Sequence, residues 1–302
     1  MAAAGSAVKF YFVEEVAGQI PALAPEFIPI RFNTSSLTRN VAQVESNEIN
    51  QSRQRPPAKQ GTYSTQGEIV CELSHGSFSD FLAMLMQQSS WTANVLKVGS
   101  TVRTFAILKR HTDTGEDVIY RGCRINTLAV TADIDARVIA TFGVIGTDAD
   151  PYTVPGDADF SAVATTTESM VTSVGSIMEG GSALAYATSH SFTLSNGMAP
   201  IFALGSRAAY DVQNGIFTAT GTLSAYRETG GLYAKFLNET SSAIEHTFSD
   251  GTNTLKFTFP RVNYTQADDA VPGPDAIVNQ FTYSAGYDGT AATTVTITRS
   301  GA

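Results

Sequence analysis

The sequence predicts a mainly β protein made of two tandem β-sandwich or barrel units, each flanked by one short α-helix. Three observations carry this expectation: period-two alternation of apolar residues, a set of hairpin-turn dipeptides, and an order of elements that occurs twice. The chain has 302 residues, of which 43% are apolar and 16% charged. A chain of that size buries a core without disulfides or metals. Its composition excludes a disordered acidic tail and a collagen-like repeat. The 36 threonines, with frequent Val, Phe and Tyr, favour a pleated, half-buried surface.

The alternation is clearest over 101–109, 253–259 and 293–298, each expected to be a strand with one buried face. Asn196-Gly197, Asn214-Gly215, Asp250-Gly251 and Asp288-Gly289 supply the residues that tight hairpins need at positive φ. Helix signals are few. The best covers Ser79 to Met86, with Ser77 or Ser79 as a cap, and a shorter one covers Gly231 to Leu237.

Around these two helices the same order appears twice. In the first copy a strand at 28–32 precedes a strand at 64–73 with Gly67, then the helix, then strands at 101–109, 126–130 and 137–142. In the second, 191–194 precedes 218–226 with Gly221, then the helix, then 253–259, 261–264 and 277–283. The expected division is a first unit over 1–150, a connecting segment over 151–180 and a second unit over 181–302. Pro, Gly and Asp between 146 and 159 mark a surface linker. Gly175-Ser176 and Gly180-Gly181-Ser182 read as flexible connectors. The first copy alone carries an arm at 47–60, polar and basic, with a Pro56-Pro57 step that keeps it extended. Its Arg53, Arg55 and Lys59, with Pro56 and Pro57, are candidate contact residues toward a neighbour.

The charge argues against a nucleic-acid wrapper. Net charge is −9, with 13 basic and 15 acidic side chains in residues 1–150 and 6 against 13 in residues 151–302. Binding a phosphate backbone requires clustered Lys and Arg. No catalytic, cofactor-binding or metal-binding set emerges. His75, His111, His190 and His246 have no ligand spacing and read as surface or turn residues. Asp148, Asp150, Asp157 and Asp159 lack the pattern of a calcium loop, which two prolines interrupt. No phosphate loop or Gly-x-Ser-x-Gly elbow is present, and Trp91 reads as a packing anchor. Cys71 and Cys123 read as buried thiols. Residues 1–6 lack the regions of a signal peptide, and no apolar run of membrane length occurs, so the expectation is a protein made in a reducing cytoplasm.

The run 64–73, the helix ending at Trp91, the Lys97-Val98-Gly99 turn, the strand 103–109 and the Arg/Gln-rich arm at 50–60 resemble tail-tube proteins of long-tailed bacteriophages. The resemblance covers 25–150 directly and 185–300 through the repeat. It implies β-sandwich or barrel units that join sheets side by side into an inner barrel, in rings that stack as a hollow tube. Six equivalent tube domains per ring would make this chain a trimer, with a hexamer of chains as the alternative. The implied partners are further copies of the chain, the tape-measure protein and passing DNA in the lumen, and tail terminator and distal tail proteins. The implied location is the virion tail, after assembly in the host cytoplasm. A head-decoration or distal-tail protein, or a carbohydrate-binding or adhesin module, would share the β-rich, Thr-rich composition. A single Trp disfavours the carbohydrate-binding reading.

Overall fold

The computed structural model describes residues 4–48, 54–228, 231–268 and 276–300. It is 54% strand and 6% helix, so the mainly β expectation holds. The first half of the chain forms β1 (Val8–Glu14), β2 (Ile28–Ile30), β3 (Thr34–Ser35), β4 (Thr38–Val44), β5 (Lys59–Glu72), α1 (Ser79–Leu85), β6 (Val95–Lys97), β7 (Phe105–His111), β8 (Asp117–Asp133), β9 (Ile139–Gly146) and β10 (Asp148–Pro151). The second forms β11 (Val171–Glu179), β12 (Ser182–Ala183), β13 (Ala187–Ser195), β14 (Ala199–Ile201), β15 (Asp211–Gln213), β16 (Thr218–Tyr226), α2 (Gly231–Leu237), β17 (Ser242–Ser249), β18 (Thr254–Ala267), β19 (Val278–Ala285) and β20 (Thr296–Arg299). Eighteen strands belong to one hydrogen-bonded network, and β14 and β15 form a separate ribbon.

Strand β8 organises the first half because it is long enough to serve two ladders. Its first part pairs with β7 and β10, and the ladder continues through β1 to β2. A register shift between Ile125 and Thr127 marks a bulge, and bulges bend strands. Across and beyond it β8 pairs with β9, β9 with β5, and β5 with β4. Helix α1 fills the space between the two ladders. Phe81 meets Phe12 of β1, Phe105 of β7 and Phe142 of β9 at centroid distances of 5.3, 5.5 and 5.4 Å. Five consecutive residues, Phe81 to Leu85, are buried, as a helix enclosed on all sides requires.

The same pairing order recurs. Strand β18 pairs first with β17 and β20, and β17 with β11. From Val262 onward, across a register shift between Tyr264 and Gln266, β18 runs beside β19, β19 beside β16, and β16 beside β13. The irregularities correspond as well: the shift between Phe105 and Ile107 in β7 matches one between Ser242 and Ile244 in β17. Gly67 lies opposite Val144, and Gly221 opposite Tyr283, at matching places in the two ladders. The helices differ. Among the described side chains of α2 only Leu232 is buried, so the second half is closed mainly by its own aromatic residues.

Several local expectations need correction. Residues 148–151 are not linker but the edge strand β10, where Pro151 sits at the strand end that tolerates a missing donor. Within 151–180, residues 171–179 form β11, and Gly175-Ser176 lies in its bulged part because Gly175 passes against the Thr247 carbonyl. Neither Ser77 nor Ser79 caps α1. Ser77 Oγ bonds Ser74 and Thr165, and Ser79 Oγ accepts from Arg299 at 2.9 Å. The strand expected from 101 begins at Phe105, because Gly99 and Thr101 N–H donate to the end of α1. Asp250-Gly251 does turn β17 into β18, with Gly251 at φ +93°. Asn196-Gly197 and Asn214-Gly215 instead face each other at the base of one loop, joined by Gly215 N–H to Asn196 O at 2.9 Å.

Gly221 is required by close approach. A Cβ there would lie 2.4 Å from Tyr283 Cζ and 2.8 Å from the Ser191 carbonyl. Gly221→Ala must displace a fully buried ring, and overpacking of that kind costs about 1–3 kcal/mol. Thermal unfolding of the variant should show a clearly lowered midpoint; an unchanged midpoint would contradict the packing account.

Candidate assembly surfaces

The two halves are joined by a strand pair. The second part of β8 pairs antiparallel with β13 over seven residues, from Thr127 opposite Ser195 to Asp133 opposite Ser189. In the repeated order, β13 corresponds to β4 and the second part of β8 to the end of β18. Those two counterparts each have one side without a partner strand among the described residues. β4 pairs only with β5, and residues 263–267 of β18 pair only with β19. An open edge carries unpaired backbone N–H and C=O groups and is a template for another strand.

The sheet running from β5 through β9, β8, β13 and β16 to β19 has two unlike faces. Residues directly opposite in a ladder share a face. One face files apolar side chains across the strands: Val130, Phe192 and Tyr283 along one row, Ala132, Leu223 and Phe281 along the next, all buried. The other face files hydroxyls. Thr131, Ser191, Thr222 and Thr282 form one row, and Thr193, Thr220 and Ser284 another. None of these is buried. Charge on this face is sparse, chiefly Glu68, Glu72 and Asp133. This is where much of the threonine goes: the branched side chain suits a strand while its hydroxyl stays in water.

At one end of this sheet stands the β4–β5 hairpin with its arm. Arg53 lies outside the described residues. Arg55 pairs with Glu45 of the same hairpin at 3.0 Å, both well exposed, so that ion pair contributes at most about 1 kcal/mol. Pro56 and Pro57 are exposed, and Lys59 opens β5 opposite Val44. The loop 196–217, which carries β14 and β15, lies against the hairpin base. Tyr63 N–H donates to Arg207 O at 2.8 Å and Ala209 N–H to Tyr63 O at 3.0 Å. The Arg39 guanidinium sits 3.4 Å from the Tyr63 ring centroid, and Arg207 approaches the same ring. Arg124 bonds Asp211 at 2.6 Å and the Val212 carbonyl, while Met198 and Val212 pack on Ile145. Sequence reasoning missed this docking, since its partners lie about 50 to 150 positions apart and leave no local pattern.

The acidic, cysteine and tryptophan side chains singled out in the sequence have structural partners or burial here. The Asp150 carboxylate pairs with Arg39 at 3.3 Å, and Asp157 and Asp159 accept backbone N–H groups from Ala24 and Ser161. Burial raises the Asp148 carboxyl above its usual range. No group of three or more His, Cys, Asp or Glu side chains is placed to hold a metal among the described residues. Cys71 and Cys123 are buried and free; burial pushes Cys71 up to about 12 and Cys123 well above its ordinary value, so neither is a reactive thiolate. Trp91 packs as expected, its Nε1–H on Ser79 O at 3.0 Å and Arg299 over its ring.

The histidines depart from expectation. His190 and His246 are buried, with their Nδ1 atoms 2.8 Å apart, and His190 Nε2 lies 2.7 Å from Tyr283 Oη. Each projects inward from its strand, a placement that four scattered histidines do not reveal in sequence. Burial holds His190 well below its ordinary value, with His246 adding to the effect, and lowers His246 to about 4.

Open strand edges among the described residues flank a hydroxyl-covered antiparallel sheet, a β architecture suited to joining strand to strand. A model of the phage tail tube protein family matches residues 5–285. The chain belongs to that family, and is thus a structural component of the phage tail that self-associates into a tube. Comparison with curated proteins finds no match. No helix among the described residues is long and apolar enough to cross a membrane.

The lowered histidine values set a pH dependence. The unfolded chain takes up protons near the ordinary value of 6.5, whereas the folded protein resists until about 4 for His246. The contribution is full above pH 6.5 and is lost as pH falls toward 4. Thermal unfolding midpoints should drop across that window, and less steeply in His246→Leu. A slope unchanged by the substitution would contradict the assignment.

Proposed function

We propose that three chains close each ring of the tail tube and that the joint inside one chain is repeated between chains. The observation that carries this is the correspondence of edges. Where β8 meets β13 within the chain, the matching strands β18 and β4 are open among the described residues. Residues 263–267 of one chain then pair with β4 of the next. Because the two edges differ, the contact is head-to-tail, and such contacts form a ring when the rotation closes. Each chain counts as two tandem tube units, over 1–150 and 181–302 with 151–180 between them, so three chains supply six.

In this reading the hydroxyl face lines the channel. A channel for DNA must not hold it, and a face of Thr and Ser offers no array of Lys and Arg to displace phosphate counterions. The net charge of −9 acts in the same direction. The tape-measure protein fills the lumen before the genome passes, and terminator and distal tail proteins meet the two ends. The arm at 47–60 reaches the neighbouring ring, through Arg53, Arg55, Pro56, Pro57 and Lys59.

Two experiments test this. Reconstruction of assembled tubes should count three chains per ring; six chains per ring would overturn the trimer. Replacing residues 49–57 by a short Gly-Ser link leaves the β4–β5 ladder intact and should give folded protein that no longer forms long tubes. Tubes of unchanged length would remove the arm from the inter-ring contact.

A further inference from the structure

Strand β13 runs from Ala187 to Ser195, roughly 30 Å at about 3.3 Å per residue, and its ends carry complementary features. Beyond Ser195, on the loop 196–217, Ile201, Phe202, Leu204, Tyr210 and Ile216 are all exposed. The loop is nevertheless held in place at Tyr63, Arg124 and Ile145, so it presents a fixed apolar knob. At the Ala187 end lies a cavity of about 430 Å³ whose apolar walls come from Ala132, Ile134, Ile177, Leu184, Ala185 and Ala187. The knob and the cavity point to opposite ends of the same strands, because β8 brings Thr127 to the knob end and Asp133 to the cavity end.

Charge follows the same division. Arg207 belongs to the loop that carries the knob, and its guanidinium bonds the Gly61 carbonyl oxygen and the Gln60 side-chain oxygen, next in the chain to Lys59, while approaching the Tyr63 ring. Asp133 and Asp135 line the cavity. None of these four charges forms an ion pair among the described residues.

We propose that the Phe202–Leu204 loop tip of each chain enters the cavity of a second copy in the adjoining ring, with Arg207 and Lys59 drawn to Asp133 and Asp135. The inference rests on the tube reading above and assigns its stacking contact. Copies translated along the strand direction place knob against cavity without rotating either. The same contact also covers a set of apolar side chains that a soluble monomer would leave in water, the arrangement that marks an interaction surface.

The test uses the full chain. Leu204 is fully exposed, so Leu204→Asp leaves folding intact, and the expected result is single rings that do not stack into tubes. In a Leu204→Cys, Ala185→Cys double variant, oxidation of assembled tubes should give a ladder of linked chains on non-reducing gels. The buried native thiols cannot produce that ladder. Normal tubes from Leu204→Asp, or tubes of the double variant without a ladder, overturn the proposal while leaving ring closure standing. A ladder from Pro56→Cys with Ala185→Cys, but not from Leu204→Cys, assigns the cavity to the arm and also overturns it. Wild-type protein that never forms rings overturns both readings together.

Discussion

A strand edge cannot be left bare without consequence, and the architecture follows from that constraint. Unpaired N–H and C=O groups along an edge bind whatever strand is offered. Within the chain, seven residues of β13 cover the edge of β8, and the two halves become one sheet. The corresponding edges on β4 and β18 have no cover among the described residues. In a monomer this is a liability for uncontrolled association. In the ring proposed here it is the surface through which copies join, and the repeated pairing order offers the internal joint as a template for the external one.

The two halves share connectivity but solve their interiors differently. In the first, α1 is swallowed by the core and its Phe81 touches aromatic rings from three strands. In the second, α2 stays peripheral. Its place is taken by Phe192, Phe257, Phe259 and Tyr283, with His190 and His246 completing a polar contact inside the cluster. Gly221 gives Tyr283 room that the corresponding Gly67 gives to the backbone at Leu37. Such divergence at constant pairing order explains why the halves share so few residues at matching positions while their bulges still coincide.

Much of the fold was legible in the sequence, for physical reasons. Alternation over 253–259 reports one buried face directly, and all of it but Asn253 lies in β18. The apolar run from Phe81 marks α1. What escaped is what alternation does not encode. Gly175 and Ser176 look like a connector, yet they lie in β11 because a bulged strand beside Thr247 needs a residue without a side chain. β10 hides among Asp and Pro because an edge strand tolerates both. The His190–His246 contact depends on strands 56 positions apart, and no local spacing announces it. Of the arm, Arg55, Pro56, Pro57 and Lys59 stand exposed, while the apolar loop at 201–216 gave no signal beyond its turn dipeptides.

The central claim is that β4 and the end of β18 are covered by each other in neighbouring chains. Hydrogen–deuterium exchange compared between unassembled protein and tubes tests it most directly. In 38–44 and 263–267, the amides that point away from β5 and β19 should exchange quickly in the free chain and become strongly protected in the tube. The amides of β8 and β13, already paired within the chain, should change little. Unaltered exchange at 38–44 and 263–267 in assembled tubes would contradict the account.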